Sequence, residues 1–364
     1  MVRRVRVAGA THVPTVRTIR SAAIRRGVTR SLVPAFSLAT ALLLTACWSA
    51  TTTDAASSPE NASVSAADGE THGAIDSGRI LFGVEGRTPS GSPELRVLQG
   101  RELHEVAISD PTFAHAAWAG GDAIVYDIEA TQGRQVLHRA DYREEAADPP
   151  AAVAVAGGAN AGASPDGSGV VFAASTPSEG RTAGLSIAPI DGGEAVEVTP
   201  GGTGPQLVPY DDYPSYSPDG QQIVYLRVTA ESQEGQAMAG AVYIVDVNGG
   251  TPRRVSPDLE VPGQPRFSPD GTQILYSAKT SEWRGSLWVV PVSGGEPSEL
   301  FPVLPHTYAM NADWSPTGTE VVFEWYEDGV DHNELRISKL DGSEMRTIWR
   351  GTNGTTAAFP DWAD

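Results

Sequence analysis

The 364-residue chain holds one cysteine, Cys47, and two lysines, Lys279 and Lys339. A single cysteine excludes an intramolecular disulfide framework and any cysteine-rich zinc module. Basic residues number 26 against 45 acidic ones, for a formal net charge of −19. Nucleic-acid binding needs a basic footprint, so no nucleic-acid partner is expected. The familiar catalytic signatures are missing too: no GxSxG nucleophile elbow, HExxH, P-loop or Rossmann GxGxxG is present. Charged residues make up only 20% of the chain. With recurrent aromatic and β-branched residues, that composition excludes disorder over most of its length.

The first 46 residues hold eight arginines and no acidic residue, followed by an apolar run over Leu32–Ala46. As a helix that run covers roughly 22 Å, short of the ~30 Å hydrocarbon core, so it reads as an export signal rather than a span. The run ends Leu44-Thr45-Ala46-Cys47. This resembles the lipobox of bacterial lipoproteins, which implies lipidation of Cys47 and cleavage before it. The expected location is extracytoplasmic, anchored to the cell membrane through that lipid. Arg25-Arg26 leaves both general and twin-arginine export open. Residues 47–77 then shift to Ala, Ser, Thr, Asp and Glu without helical or strand period, and read as a flexible tether.

From 78 to 364 the sequence repeats. Tyr216-Ser217-Pro218-Asp219-Gly220 returns as Phe267-Ser268-Pro269-Asp270-Gly271 and Trp314-Ser315-Pro316-Thr317-Gly318, and more weakly as Ala163-Ser164-Pro165-Asp166-Gly167. A β-branched run follows each, then a second run closing on a glycine turn such as Asn248-Gly249-Gly250. Asp-Gly and Asn-Gly supply the positive φ of hairpin turns. The unit is therefore four antiparallel strands in roughly 48 residues, the signature of a propeller blade. The aromatic position recurs at Trp118, Ala163, Tyr216, Phe267, Trp314 and Trp362. Trp362 opens a unit that stops after one strand, and Ile80–Phe82 begins a unit without a first strand. The expected fold is an all-β, six-bladed propeller of four-stranded blades, closed by the C-terminal strand pairing into the first blade.

These repeats resemble the TolB-type propeller, a relative of WD-type repeats marked by Ser-Pro-Asp-Gly turns. The resemblance covers the later repeats well and the first two only through pattern. TolB carries a separate α/β domain before its propeller, where this chain has a tether. The resemblance therefore implies the fold, and not TolB's role in the Tol–Pal envelope system.

In such blades the Pro-Asp-Gly and Gly-Gly turns lie on one face, and the long irregular connections on the other. The expected long loops, 199–213, 229–240, 279–285, 301–311 and 325–333, carry Tyr210, Asp211, Asp212, Tyr213, Trp283, Arg284, His306, Tyr308, Trp325, Tyr326, Asp331 and His332. Aromatic side chains with polar tips suit a binding surface. The expected function is a non-catalytic binding or scaffold module at the cell envelope, for a protein, peptide or glycan at the loop-rich face, with no cofactor. Two alternatives stay open. One is a metal-dependent polysaccharide lyase or hydrolase, which would draw on His306 and His332 at the channel mouth. The other is an accessory subunit of an envelope complex.

Overall fold

A computed structural model describes residues 69–71, 73–86, 88, 93–106, 115–130, 134–143, 153–175, 182–200, 209–231, 237–280, 284–352 and 354–364. The export signal, Cys47, the tether up to residue 68 and Trp283 lie outside the described residues. The described residues contain strands and no helix.

In chain order the strands are β1 (Gly69–Thr71), β2 (Arg79–Gly86), β3 (Glu94–Gln99), β4 (Glu102–Val106), β5 (Ala116–Trp118), β6 (Ala123–Ala130), β7 (Arg134–Asp141) and β8 (Val153–Ala163). There follow β9 (Gly169–Ser175), β10 (Thr182–Pro189), β11 (Val196–Glu197), β12 (Tyr210–Tyr216), β13 (Gln222–Glu231), β14 (Ala237–Asp246), β15 (Arg253–Arg254), β16 (Leu259–Glu260) and β17 (Arg266–Phe267). The last are β18 (Gln273–Thr280), β19 (Arg284–Pro291), β20 (Ser298–Glu299), β21 (Thr307–Trp314), β22 (Glu320–Glu327), β23 (Glu334–Lys339), β24 (Arg346–Gly351) and β25 (Thr355–Ala363).

Antiparallel pairing repeats in fours: β12 to β15, β17 to β20 and β21 to β24. The fourth strand after β5, β6 and β7 is the first half of β8, and its second half opens the set with β9, β10 and β11. β25 pairs with β2 from Arg79 to Gly86, giving a four-stranded sheet in the order β25, β2, β3, β4. The last strand thus supplies the partner that the first unit lacks in sequence.

Neighbouring sets are also hydrogen-bonded to one another. β16 bridges β14 and β18, and Gly285 pairs with Tyr308 across the next seam. The strands therefore form sheets of 14, 7 and 4 strands, none closed on itself.

The second strands are continuous apolar runs because both of their faces are covered. Ile80–Phe82, Val170–Phe172, Ile223–Leu226 and Val321–Phe323 are all buried. Separate hydrophobic clusters fill the seams. One joins Val171 and Leu185 to Ile223 and Tyr225, and another joins Leu275 and Leu287 to Val321 and Phe323. Ile80, Phe82 and Leu98 pack on Val322, Ile337 and Trp349, so the first and last units share a seam.

The Ser-Pro-Asp-Gly phrase is a self-contained turn. In the copy at 217, Ser217 Oγ donates to Asp219 Oδ1 at 2.6 Å, Gln221 N–H donates to the same oxygen, and Gln222 N–H donates to Ser217 Oγ. The copies at 164 and 268 repeat these bonds. The donors hold Asp166, Asp219 and Asp270 below the usual carboxylate range.

One expectation needs correction. Gly69–Thr71, read as tether, forms β1 on the outer edge of β24, opposite Trp349–Gly351. Ile75 is 4% exposed and packs beside Ile348 and Trp349. An edge strand needs only backbone bonds, so Gly-Glu-Thr shows no apolar alternation to announce it.

Across the C-terminal seam, Trp118 N–H donates to Asp361 Oδ2 at 2.6 Å, and Trp362 N–H to Asp313 Oδ2 at 2.8 Å. Asp361→Ala strands the buried Trp118 amide, and its expected cost is about 1–3 kcal/mol in urea unfolding. Deletion of residues 355–364 exposes the β2 edge, and the cooperative thermal transition is expected to be lost.

Candidate functional site

The repeated aromatic position closes each first strand, or stands one residue before its end in β25. The residue three places before it is His115, Asn160, Tyr213, Gln264, Asn311 or Phe359. Four of these sit on bulges. The register slips between Ala159 and Gly162, between Asp212 and Ser215, between Met310 and Asp313, and opposite Ala358–Asp361. Asn160, Tyr213, Asn311 and Phe359 consequently hold φ of 53°, 49°, 46° and 50°. Left-handed backbone costs an L-residue roughly 1–2 kcal/mol, so its recurrence here is a feature of the fold.

These side chains meet. His115 Nε2 lies 3.3 Å from Gln264 Oε1, 149 residues away in sequence. The His115 ring is 5.2 Å from Phe359 and 6.5 Å from Tyr213, and Tyr213 stacks on Phe359 at 5.9 Å. The innermost strands of different sets thus converge on one hub.

Carboxylates on the second strands line the hub and accept its amides. Asp127 accepts His115 N–H at 3.0 Å and also the Asn160 amide. Glu324 accepts Phe359 N–H at 2.7 Å, the Asn311 amide side chain at 3.0 Å and Tyr326 O–H at 2.8 Å. From a first strand, β12, Asp212 accepts from Asn160 Nδ2 at 2.8 Å.

Burial is the largest influence on these groups. It pushes Asp127, Glu324 and Glu85 up to about 7, and for Glu85 the charges of Glu324 and Asp127 add to it. Burial, then the Arg266 charge, lowers His115 to about 3, so its imidazole is neutral. Behind this layer Arg266 lies 3.9 Å from Asp313 and donates to Gln264 Oε1 at 2.9 Å. Burial also raises the neighbouring pair Asp313 and Asp361.

The twelve residues singled out in sequence divide among several places. Asp212, Tyr213 and Tyr326 belong to the hub. Tyr213 and Tyr326 stay half-buried, as do Asn160 and Glu85, and together they form its partly open polar rim. Tyr210 is core, packed on Leu226 and Val228. Asp211 forms a two-pronged ion pair with Arg227, its strand partner, at 2.7 and 2.8 Å. Trp325 packs on Phe323 and under the Arg336 guanidinium, 4.3 Å from the ring centre. Arg284 donates to the Val303 carbonyl at 3.3 Å.

His306 pairs with Asp328 at 2.7 Å, and Tyr308 hydrogen-bonds the same carboxylate. His332 pairs with its neighbour Asp331 at 3.1 Å. The two histidines thus have separate carboxylate partners, and among the described residues no three His, Cys, Asp or Glu side chains are grouped to hold a metal ion.

The loop assignment also needs correction. Tyr210–Tyr213, Arg284, Tyr308 and Trp325–Tyr326 lie within strands, which run several residues further than the expected loops allowed. Sequence reasoning passed over His115, Asp127, Asn160, Gln264, Asn311, Glu324 and Phe359. The signal that finds His115, Asn160, Gln264, Asn311 and Phe359 is position relative to the repeated aromatic, not residue type.

A carboxyl raised by folding binds its proton more tightly in the folded state. Its stabilising contribution is complete below the unfolded value near 4 and is lost as pH climbs through about 7. The double variant Asp127→Asn, Glu324→Gln keeps an acceptor oxygen at each site. It is expected to gain about 1–3 kcal/mol over the wild type at pH 8 and little at pH 4, measured by urea unfolding.

No family model matches the chain. Over 219 residues it is 26% identical to an uncharacterised protein of Agrobacterium fabrum, covering 56% of this chain and 65% of that protein. Over 157 residues it is 30% identical to a probable dipeptidyl-aminopeptidase B of Aspergillus clavatus, covering 39% of this chain and 15% of that protein. The chain thus spans less than two thirds of either curated relative. Among solved structures, a puromycin hydrolase matches at a TM-score of 0.52 and 14% identity, over 77% of this chain and 46% of its own. TolB from Acinetobacter baumannii matches at 0.57 and 20% identity, over 79% of this chain and 66% of that one. A putative TolB from Agrobacterium tumefaciens matches at 0.54 and 19% identity, over 79% of this chain and 99% of that one. At these identities the likeness speaks to architecture: the chain is an all-β protein with a TolB-like propeller fold.

Proposed function

We propose that this protein is a lipid-anchored, extracytoplasmic propeller that binds a protein, peptide or glycan partner through the rim of its hub. In this reading six blades form a wheel, closed where β25 joins β2, and Cys47 carries the membrane anchor. The observation that carries the binding role is the convergence of Tyr213, Tyr326, Asn160 and Glu85 on one partly open polar rim, backed by the raised acids Asp127 and Glu324. Half-buried aromatics beside hydrogen-bonding groups are the usual material of a recognition site. A hub whose acids are occupied by backbone amides serves recognition better than turnover.

Peptide and glycan arrays probed with the full chain test the rim. Tyr213→Asn is a suitable variant, because asparagine already occupies the same left-handed position at Asn160 and Asn311. Array binding is expected to fall at least about tenfold in Tyr213→Asn with the thermal midpoint unchanged. Undiminished binding removes the rim from the function. For the anchor, mass spectrometry is expected to find a diacylglyceryl group on an N-terminal Cys47, and Cys47→Ala is expected to leave the membrane fraction.

A further inference from the structure

A second site lies away from the hub, in the seam between the β12–β15 and β17–β20 sets. Tyr276 and Trp288 are directly opposite in β18 and β19, and Trp288 is directly opposite Glu299 in β20. Side chains so paired share one face of the sheet. That face packs on Val242 and Ile244 of the neighbouring set and on Leu259 of the bridging strand β16. Toward the outer end of the seam the packing stops short and leaves a cavity of about 450 Å³. Its lining includes Tyr276, Trp288, Asp258, Glu260, Lys279 and Glu296. This volume is in the range of small-ligand sites, ~300–1,000 Å³.

The lining has the makings of recognition rather than of a packing defect. Tyr276 is 1% exposed, yet its hydroxyl makes no hydrogen bond among the described residues. Burial pushes that phenol well up, which keeps it a neutral donor. Trp288 is half-buried, and its indole N–H likewise has no partner among the described residues. Beside it, Glu299 Oε1 is buried without a partner. At the edge, Glu260 and Glu296 are exposed and form no ion pair among the described residues, whereas Asp258 is held by Arg254 at 2.7 Å. A buried polar atom left without a partner costs on the order of 1–3 kcal/mol. Glu299 Oε1 is such an atom, behind the lining; at the cleft itself the aromatic pair Tyr276 and Trp288 beside Glu260 and Glu296 offers donors and acceptors together and favours an occupant that supplies both.

We propose that this cleft binds a neutral pyranose residue of a glycan. The sugar's apolar C–H face lies on the Trp288 indole, and its hydroxyls bond to the Tyr276 hydroxyl, Glu260 and Glu296. The weakly positive C–H edges of a pyranose suit the negative face of an aromatic ring. A ring of hydroxyls meets donors and acceptors alike, which an ammonium group, bearing donors only, cannot do. An acidic sugar would bring its carboxylate against Glu260 and Glu296, two carboxylates against the single cation of the lining, Lys279. None of these residues belongs to the hub, so this site stands or falls separately from the rim.

The test is saturation-transfer NMR with isothermal titration on the full chain in a detergent without sugar. The probes are cellotriose, chitotriose and mannotriose, with trigalacturonate and tetramethylammonium as contrasts. Saturation transfer to at least one neutral trisaccharide is expected, with none to trigalacturonate. Trp288→Ala is expected to weaken that binding at least about tenfold, and Tyr276→Phe, which keeps the ring and removes only the hydroxyl, about threefold or more. If Trp288→Ala fails to fold, Tyr276→Phe and Glu260→Gln decide. The proposal is overturned if no neutral trisaccharide binds, if binding is unchanged in the variants, or if tetramethylammonium is the probe that Trp288 holds.

Discussion

The backbone at the hub has more amide donors than the strand ladders can use, and the rest of the site follows from that surplus. Innermost strands that converge must turn away from one another, and the bulges at Asn160, Tyr213, Asn311 and Phe359 accomplish the turn. Each bulge frees an amide from the strand ladder in a largely buried place, and an unpaired buried amide is costly. Asp127, Ser277 and Glu324 answer that need from the second strand of the preceding set. They accept from Asn160, Asn311 and Phe359 respectively. Asp313 and Asp361 do the same one layer further in, for Trp362 and Trp118. Polar bonds thus stitch set to set along the inner edge, while apolar clusters fill the seams outside them.

The same arrangement gives the hub its electrostatic character. Asp127 and Glu324, recruited to cap amides, lie close to Glu85, and burial raises all three toward neutrality. His115, buried beside Arg266, is driven the other way and stays uncharged. A largely neutral, hydrogen-bonded hub can tolerate so many acids in a chain of net charge −19. Its rim, with Tyr213, Tyr326 and Glu85, is where that interior reaches solvent. The seam cleft differs in kind, because its polar groups answer no backbone need.

Much of the fold was legible from residue order. The Ser-Pro-Asp-Gly turns are local devices, with serine and aspartate bonding within five residues, so their sequence and their geometry coincide. The repeated aromatic marks each first strand. The missing strand at one end and the spare strand at the other anticipated the pairing of β25 with β2. β1 was not legible, since an edge strand of Gly-Glu-Thr presents no pattern. The long loops were drawn too long, because Tyr210–Tyr213 and Trp325–Tyr326 continue strands whose partners lie elsewhere in sequence.

Residue order by itself determined the turns, the repeat, the strands and the acidic balance, because each depends on neighbours within a few residues. Tertiary structure alone decided which side chains meet. His115 and Gln264 share no motif and stand 149 residues apart, yet they touch because each is three residues before its unit's aromatic. These six positions hold four polar residues of three types and two aromatics, so no compositional signal links them. Convergence of strands is a property of the assembled sheets, and only there do His115, Tyr213, Gln264 and Phe359 become neighbours.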